Sequence, residues 1–510
     1  MQTHFQTQDL VLLSCSGALL FFALLLFVHK RMTAAVVLLT LTAFLLRLTF
    51  VLTDPFVYDW DEQFHALVAR NMTAHPFTPV LYQEPLLPYD ISEWDRNHIW
   101  LHKQPLFLWL IALSLKTVGF TPFAVKLPSL LLSVLMVPAI YRIGKLLYTA
   151  ATGFYAALLF AVGYVFINVV TGNVNTDHND VIFSAFVLFS IWAFCEYAVE
   201  GKQRMRWLIG ILAGCAVLVK WLPGLLVFGG WGLWLLLSPK HRRTKKSWID
   251  LLLAAGITAA VVLPWQIYIH NVFPAESAYE LRYSALHFTI PIEAHGGPWN
   301  YHLQQLADNF GYVFSIVFAL GWLLLLIVAK QRTAALSVFT MLLVFFVFYA
   351  LAATKMPLFT LPVYPLLLLG GAALFDMLLR RVVEHKVRGY LVAMPLLILL
   401  SWFSLRVSLL EERHTSLAGE NSFRALRIHD RQQSYALAQE LGSGKWAVFG
   451  LQPAVAFNFY TGIPAYRFKP ESNRMQELMK QGWKIAVYDP AAKDTLPEGV
   501  YRITRKFREE

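Results

Sequence analysis

The sequence predicts an all-α polytopic membrane protein of about twelve transmembrane helices plus juxtamembrane helices, closed by a small C-terminal α/β domain. Three observations carry this. The 510 residues are 57% hydrophobic and only 15% charged, against roughly 45–50% apolar and about 25% charged in soluble domains. Many apolar runs reach the ~20 residues that cross a hydrocarbon core. After about residue 409 the pattern changes to short mixed helical and strand signals punctuated by Gly and Pro.

Taken in order, residues 1–33 form an extra N-terminal segment, an apolar run at 11–28 followed by the basic loop His29–Arg31. No cleavable signal peptide is expected, because "MQTHFQTQD" lacks a basic start. Residues 34–408 form the main membrane domain. Its basic loops, Tyr141–Lys145, Glu200–Arg206, Ser238–Ser247, Lys330–Arg332 and Arg380–Arg388, are assigned with the first one to the cytoplasm. That leaves 54–102, 172–178, 271–308, 353–358 and the tail outside. Parity then makes 105–120, short and carrying Lys116, a juxtamembrane or half-inserted helix. Segment 207–237, basic at both ends, is expected as a hairpin of two short helices broken near "KWLPG". In 409–510, read as an extracytoplasmic α/β domain, "SYALAQEL" and "RMQELMKQ" have helical spacing, while "KWAVFG", "WKIAVYD" and "VYRITRKF" look like strands.

Composition also excludes. Cys15, Cys195 and Cys215 all lie in apolar runs and behave as small core hydrophobes. The net charge of +11 is distributed among short loops, which is a topology signal and not a nucleic-acid footprint.

The chemistry-bearing residues gather in the outer segments. "YDWDEQFHALVARNM" (58–72) sets Asp59, Asp61 and Glu62 just past an apolar run, beside Tyr58 and Trp60. Its helical stretch has Phe64, Leu67 and Val68 on one face and Asp61, Glu62 and His65 on another, which suits a helix lying in the interface. Acidic residues at a helix start also favour the dipole with no function at all. "DWD" matches a D-x-D pattern, weak by itself. Lys103, before a proline-led entry into apolar sequence, either snorkels to headgroups or serves a site. Asp177 and Asp180 bring acid to the same face. The third segment supplies Arg282, His287, Glu293 and His295; its loose His and Glu spacing does not make a zinc motif, so no metal ligands are assigned. No cofactor is required, though a divalent metal stays open. Lys355 and Tyr364 fall at the outer end of a later run.

Carboxylates suit removal of a proton from an attacking hydroxyl. Cations suit a phosphate whose charge grows as it leaves, and an apolar groove suits a lipid tail. Together they describe group transfer from a lipid-linked phosphate.

Over about residues 34 to 410 the chain resembles the membrane glycosyltransferases of GT-C fold, in the branch holding protein O-mannosyltransferases and the bacterial aminoarabinose transferase of lipid A. Asp61-Glu62 is similar to that branch's Asp-Glu pair after a membrane helix, and Lys103-Gln104-Pro105-Leu106 to its Lys-Pro-Pro-Leu motif. Asp177 matches an Asp closing the second outer loop, and Lys355 with Leu361–Tyr364 a late Lys and Leu-Pro-x-Tyr segment. The chain departs where Phe64-His65 stand in place of the branch's Arg-Tyr, at Gln104, and in the extra run at 11–28.

The resemblance implies a polyprenyl-phosphate-linked sugar as donor and a lipid, glycan or protein as acceptor, on the periplasmic or exterior face of the cell membrane. It makes Asp61 the base of an inverting transfer, with Glu62 beside it, and Lys103 a phosphate contact, joined by Arg282 and Lys355. Tyr58, Asp177, His287, Glu293, His295 and Tyr364 are the expected substrate contacts. The alternative is a transporter or flippase of a lipid-linked sugar; against it, the acids sit on one side and no inverted repeat is evident.

Overall fold

The computed structural model describes residues 6–59, 61–172, 178–383, 390–406 and 423–507. It is a helical body with a small parallel sheet at its C-terminal end. The first helices are α1 (Thr7–Val28), α2 (Met32–Thr53), α3 (Asp61–Met72), α4 (Pro105–Val118) and α5 (Pro122–Leu147). There follow α6 (Ala150–Val162), α7 (Tyr164–Val170), α8 (His178–Glu200), α9 (Met205–Lys220), α10 (Leu226–Leu237), α11 (Pro239–Arg242) and α12 (Lys245–Val272). The body closes with α13 (Pro274–Leu286), α14 (Tyr301–Phe310), α15 (Tyr312–Val328), α16 (Arg332–Leu351), α17 (Tyr364–Val383) and α18 (Tyr390–Leu405).

Among the described residues, seven helices are long and apolar enough to cross a membrane, or up to nine if each bent pair is one span. The bent pairs are α6 with α7, at 50°, and α14 with α15, at 108°. Helix α4, at 14 residues, is too short to span alone, as the parity reading expected. The break near "KWLPG" is present: α9 ends at Lys220, Trp221 takes φ 70°, and a short 3₁₀ turn (Leu222–Leu225) leads into α10.

Helix contacts in the body use small residues, as membrane interiors do where no water drives association. A Cβ on Gly321 of α15 would come within 2.0 Å of the Gly370 carbonyl oxygen on α17, so these two helices touch backbone to backbone. Around them the core is continuous, from α2 and α5 through α8 to α17.

The tail forms strands β1 (Trp446–Phe449), β2 (Ala465–Tyr466), β3 (Lys484–Tyr488) and β4 (Tyr501–Ile503), in the order β2-β1-β3-β4, all parallel. Parallel neighbours need crossovers, supplied by the helices Ala454–Thr461 and Ser472–Lys480 between β1 and β3 and by the irregular segment 489–500 between β3 and β4. The three strands expected from sequence are present; β2, only two residues long, carries too little pattern to read. Helix Ala454–Thr461 packs directly on α3, so the sheet domain rests on the element that opens with Asp61-Glu62.

Candidate active site

Helix α3 starts at Asp61 with two carboxylates in its first turn and ends with Arg70 in its last, the charge order that the helix dipole favours. It is not an interfacial helix with one wet face. Glu62 is 2% exposed and His65 fully buried, the latter edge-on to Trp100 and Phe107. The C-terminal domain and the first outer segment cover what the sequence pattern left polar.

The two adjacent carboxylates face different surroundings. Glu62 points inward. Its Oε2 accepts the Tyr58 amide at 2.9 Å, and its Oε1 lies 3.2 Å from His178 Nε2 and 4.0 Å from Lys126 Nζ. Burial pushes this carboxyl up, but Lys126, His178 and the Tyr58 amide outweigh it, so Glu62 is held below the ordinary carboxylate range. Lys126 itself is fully buried, donates to the Asp54 carbonyl at 3.1 Å and lies over the Tyr58 ring at 5.0 Å. Gly172 closes the pocket with φ +78°, and a Cβ there would come within 2.8 Å of Glu62 Oε2.

Asp61 points outward. Its Oδ2 lies 3.4 Å from Lys103 Nζ, with the two side chains 29% and 19% exposed. The resemblance placed these two residues at one site, and the structure brings them into contact across 42 positions of sequence. Gln104, next to Lys103, accepts from Gln266 of α12 at 2.8 Å, which gives the departure from proline a job of its own.

The other expected residues divide. His287 is half-buried and its pKa is lowered to about 4, by burial first and then by His102 and Lys103, with Lys220 contributing. It is therefore neutral near pH 7, within electrical reach of two lysines. Glu293 accepts from Tyr283 Oη at 3.0 Å. The His295 carbonyl accepts the Lys355 amide at 2.7 Å, tying the third outer segment to the loop after α16. Lys355 Nζ turns back on the end of α16, donating to the carbonyls of Tyr349 at 3.1 Å, Ala350 at 2.7 Å, and Ala352. Tyr364 is fully buried, its hydroxyl between Asn309 and Thr360. Tyr58 belongs to the buried network, its hydroxyl donating to Asp54 at 2.8 Å. Arg282 is exposed on α13. Asp177 lies outside the described residues.

Sequence reasoning missed several participants. Lys220, at the α9 break, pairs with Asp180 and lies 4.7 Å over the Phe359 ring. A lysine ending an apolar helix just before an inferred break was the available signal. Asp59, given no role from the sequence, pairs with Arg427. The helix Phe423–Leu441 contributes further grips on 53–59: Arg424 donates to the Thr53 carbonyl, and Arg431 to the Pro55 carbonyl at 2.6 Å. From the next helix, Tyr460 Oη accepts the Val57 amide at 2.9 Å. Among the described residues no group of three or more His, Cys, Asp or Glu side chains converges on a metal position. A separate cavity of about 650 Å³, lined by Leu159, Phe310, Phe314, Leu368 and Trp402 with Arg406 beside them, is apolar enough for a lipid chain.

The chain is similar in sequence and fold to several known proteins. Residues 102–268 match the family described as dolichyl-phosphate-mannose-protein mannosyltransferase. An undecaprenyl phosphate-alpha-4-amino-4-deoxy-L-arabinose arabinosyl transferase of Pseudomonas fluorescens is 25% identical over 315 residues, 58% of this chain and 54% of that protein. A Pseudomonas aeruginosa protein of the same description is 27% identical over 289 residues, 53% of this chain and 49% of its own. The chain thus spans about half the length of the curated relatives it matches. In structure, ArnT from Cupriavidus metallidurans bound to undecaprenyl phosphate superposes with TM-score 0.65 at 16% identity, covering 88% of this chain and 92% of that one. The archaeal oligosaccharyltransferase AglB from Archaeoglobus fulgidus, in complex with an inhibitory peptide and a dolichol-phosphate, gives TM-score 0.53 at 13% identity, covering 85% of this chain and 64% of that one.

Proposed function

We propose that this chain, a multi-pass membrane protein of GT-C fold in the aminoarabinose-transferase and protein O-mannosyltransferase branch, moves a single sugar from a polyprenyl-phosphate donor to a lipid, glycan or protein acceptor at the extracytoplasmic face. The observation that carries the reading is the Asp61–Lys103 contact, a partly exposed carboxylate and cation held together at the end of a membrane helix.

In the resting enzyme Lys103 neutralises Asp61. A donor phosphate competes for the same ammonium, and its arrival frees the carboxylate to accept a proton from the acceptor hydroxyl. Lys103 then stabilises the phosphate as the glycosidic bond to it breaks. Lys220, which acts with Lys103 on His287, is the second cation of the proposal, while Lys355 is turned to three backbone carbonyls. Direct attack from the face opposite the phosphate inverts the anomeric centre, so no covalent glycosyl-enzyme forms. The apolar cavity beside Arg406 accommodates a prenyl chain.

The test is transfer of radiolabelled sugar from polyprenyl-phosphate hexose by purified protein in lipid discs, with no gradient present. Asp61→Asn should cut turnover roughly 10²–10⁴-fold while donor binding survives. Full turnover in Asp61→Asn would refute the assignment, and gradient-dependent translocation without transfer would favour the transporter reading.

A further inference from the structure

Beside the Asp61–Lys103 pair, between the first outer segment and α13, lies a second cavity of about 230 Å³. Its lining includes Trp94, Asn97, His102, Glu280, Tyr283 and Glu293. The volume falls below the roughly 300–1,000 Å³ of drug-sized ligand sites, which suits one ring and not a chain.

The walls are aromatic on both sides. Trp94 stands 5.7 Å from Trp100 and 4.4 Å from His102, and His102 lies 5.8 Å from Tyr283 across the gap. Such faces suit the C–H face of a sugar or a cation. The polar equipment is biased toward acceptors. Glu280 and Glu293 bring carboxylates, the first held 3.4 Å from His102 Nδ1 and the second by Tyr283. Asn97 is 5% exposed, and its side-chain oxygen is buried with no hydrogen-bond partner among the described residues. Leaving a buried acceptor unsatisfied is costly, so its presence on a cavity wall points to a donor group supplied by a ligand. The backbone agrees: Glu293 and Ala294 both take positive φ, 51° and 60°, a strain of the kind that persists where a site requires it.

We infer that this cavity is a subsite for one sugar ring that carries no phosphate besides the anomeric one of a donor, bearing hydroxyl or amino donors toward Asn97, Glu280 and Glu293. Two carboxylates at the wall would repel a phosphate carried on those hydroxyls. The inference rests on the glycosyl-transfer reading for its place in the reaction. The ring belongs either to the donor head or to the acceptor, and one experiment separates the two.

Purified full-length protein is titrated with methyl glycosides by ligand-observed NMR: one neutral, one amino-substituted and one carrying phosphate. Saturable binding in the millimolar range is expected for the first two, at least tenfold weaker for the third. Asn97→Leu and Glu280→Gln should each weaken binding several-fold. Trp94→Phe serves as the milder aromatic variant where Trp94→Ala does not fold. Displacement by polyprenyl-phosphate hexose but not by polyprenyl phosphate assigns the ring to the donor; displacement by neither assigns it to the acceptor. Absence of saturable binding, equal binding of the phosphorylated sugar, displacement by polyprenyl phosphate alone, or indifference to all variants would overturn the inference. Because turnover is not read, such a failure leaves the chemistry at Asp61 standing. Conversely, intact sugar binding in an inactive protein would count against transfer and not against the subsite.

Discussion

Asp61 and Glu62 are neighbours in sequence and opposites in environment. Glu62 is sealed among Lys126, His178 and the Tyr58 amide, with Gly172 pressed against it. Asp61 meets Lys103 at a partly exposed surface. On the proposed reading, one carboxylate holds the fold of the site and the other is placed where a reactant can reach it. The proposal makes the pair a division of labour, which successive positions on a helix, about 100° apart, allow.

The comparison breaks hardest at Glu62. Glu62→Gln removes the buried carboxylate that Lys126 and His178 face, and breaking a buried ion pair costs about 3–5 kcal/mol. Unfolding in detergent should move to lower temperature by a wide margin, whereas Asp61→Asn should shift stability by less than about 1 kcal/mol. Equal melting temperatures for the two variants would refute the division. Acid should expose the same asymmetry. Glu62 is held below the ordinary carboxylate range, so its stabilisation is present above the unfolded carboxylate pKa and is lost as pH falls through the folded value.

Next in size is the grip of the C-terminal domain. Arg427, 7% exposed, pairs with Asp59 two residues before the proposed base. Arg427→Ala should lower turnover roughly 10–100-fold by letting Asp61 drift, with Arg427→Lys recovering part of it. Donor affinity should hold, which separates positioning from binding. A fall in donor affinity equal to the fall in turnover would place Arg427 in the donor site.

Lys103→Ala removes a charge-assisted contact to phosphate worth about 1.5 kcal/mol, roughly tenfold in donor affinity. Turnover should fall further, because the leaving phosphate gains charge in the transition state. Unchanged affinity and rate would return Lys103 to a snorkelling residue.

These contrasts also show what the sequence could carry. The ordered motifs set Asp61 with Lys103, which the structure holds in contact, and the change of pattern after 409 marked the sheet domain. Lys126 was invisible because it sits inside an apolar run, where a single lysine reads as a tolerated span residue. The grip of Arg424, Arg427 and Arg431 on residues 53–59 was equally hidden. It joins segments more than 350 positions apart, and nothing in "FRALRIHDR" reveals what those arginines face. His65 was assigned to a wet face because α3 alone is amphipathic; its burial depends on Trp100 and Phe107 from elsewhere in the chain. Local pattern reports the exposure a helix would have in isolation, and these departures are the places where a second segment covers it.

The smallest effect is expected where the same two regions meet in water. Lys445 and Glu84 form an ion pair at 2.5 Å between the sheet domain and the first outer segment, but their side chains are 48% and 60% exposed. The contact is shorter than that of Asp61 with Lys103, and distance alone would rank it above. Solvent screening and the entropy of fixing two long side chains reverse the ranking. Lys445→Ala should change stability by less than about 1 kcal/mol and leave turnover unaltered, and added salt should erase even that difference. A loss of activity comparable to that of Arg427→Ala would mean that docking of the sheet domain depends on its exposed rim, and that the buried arginines follow that docking instead of producing it.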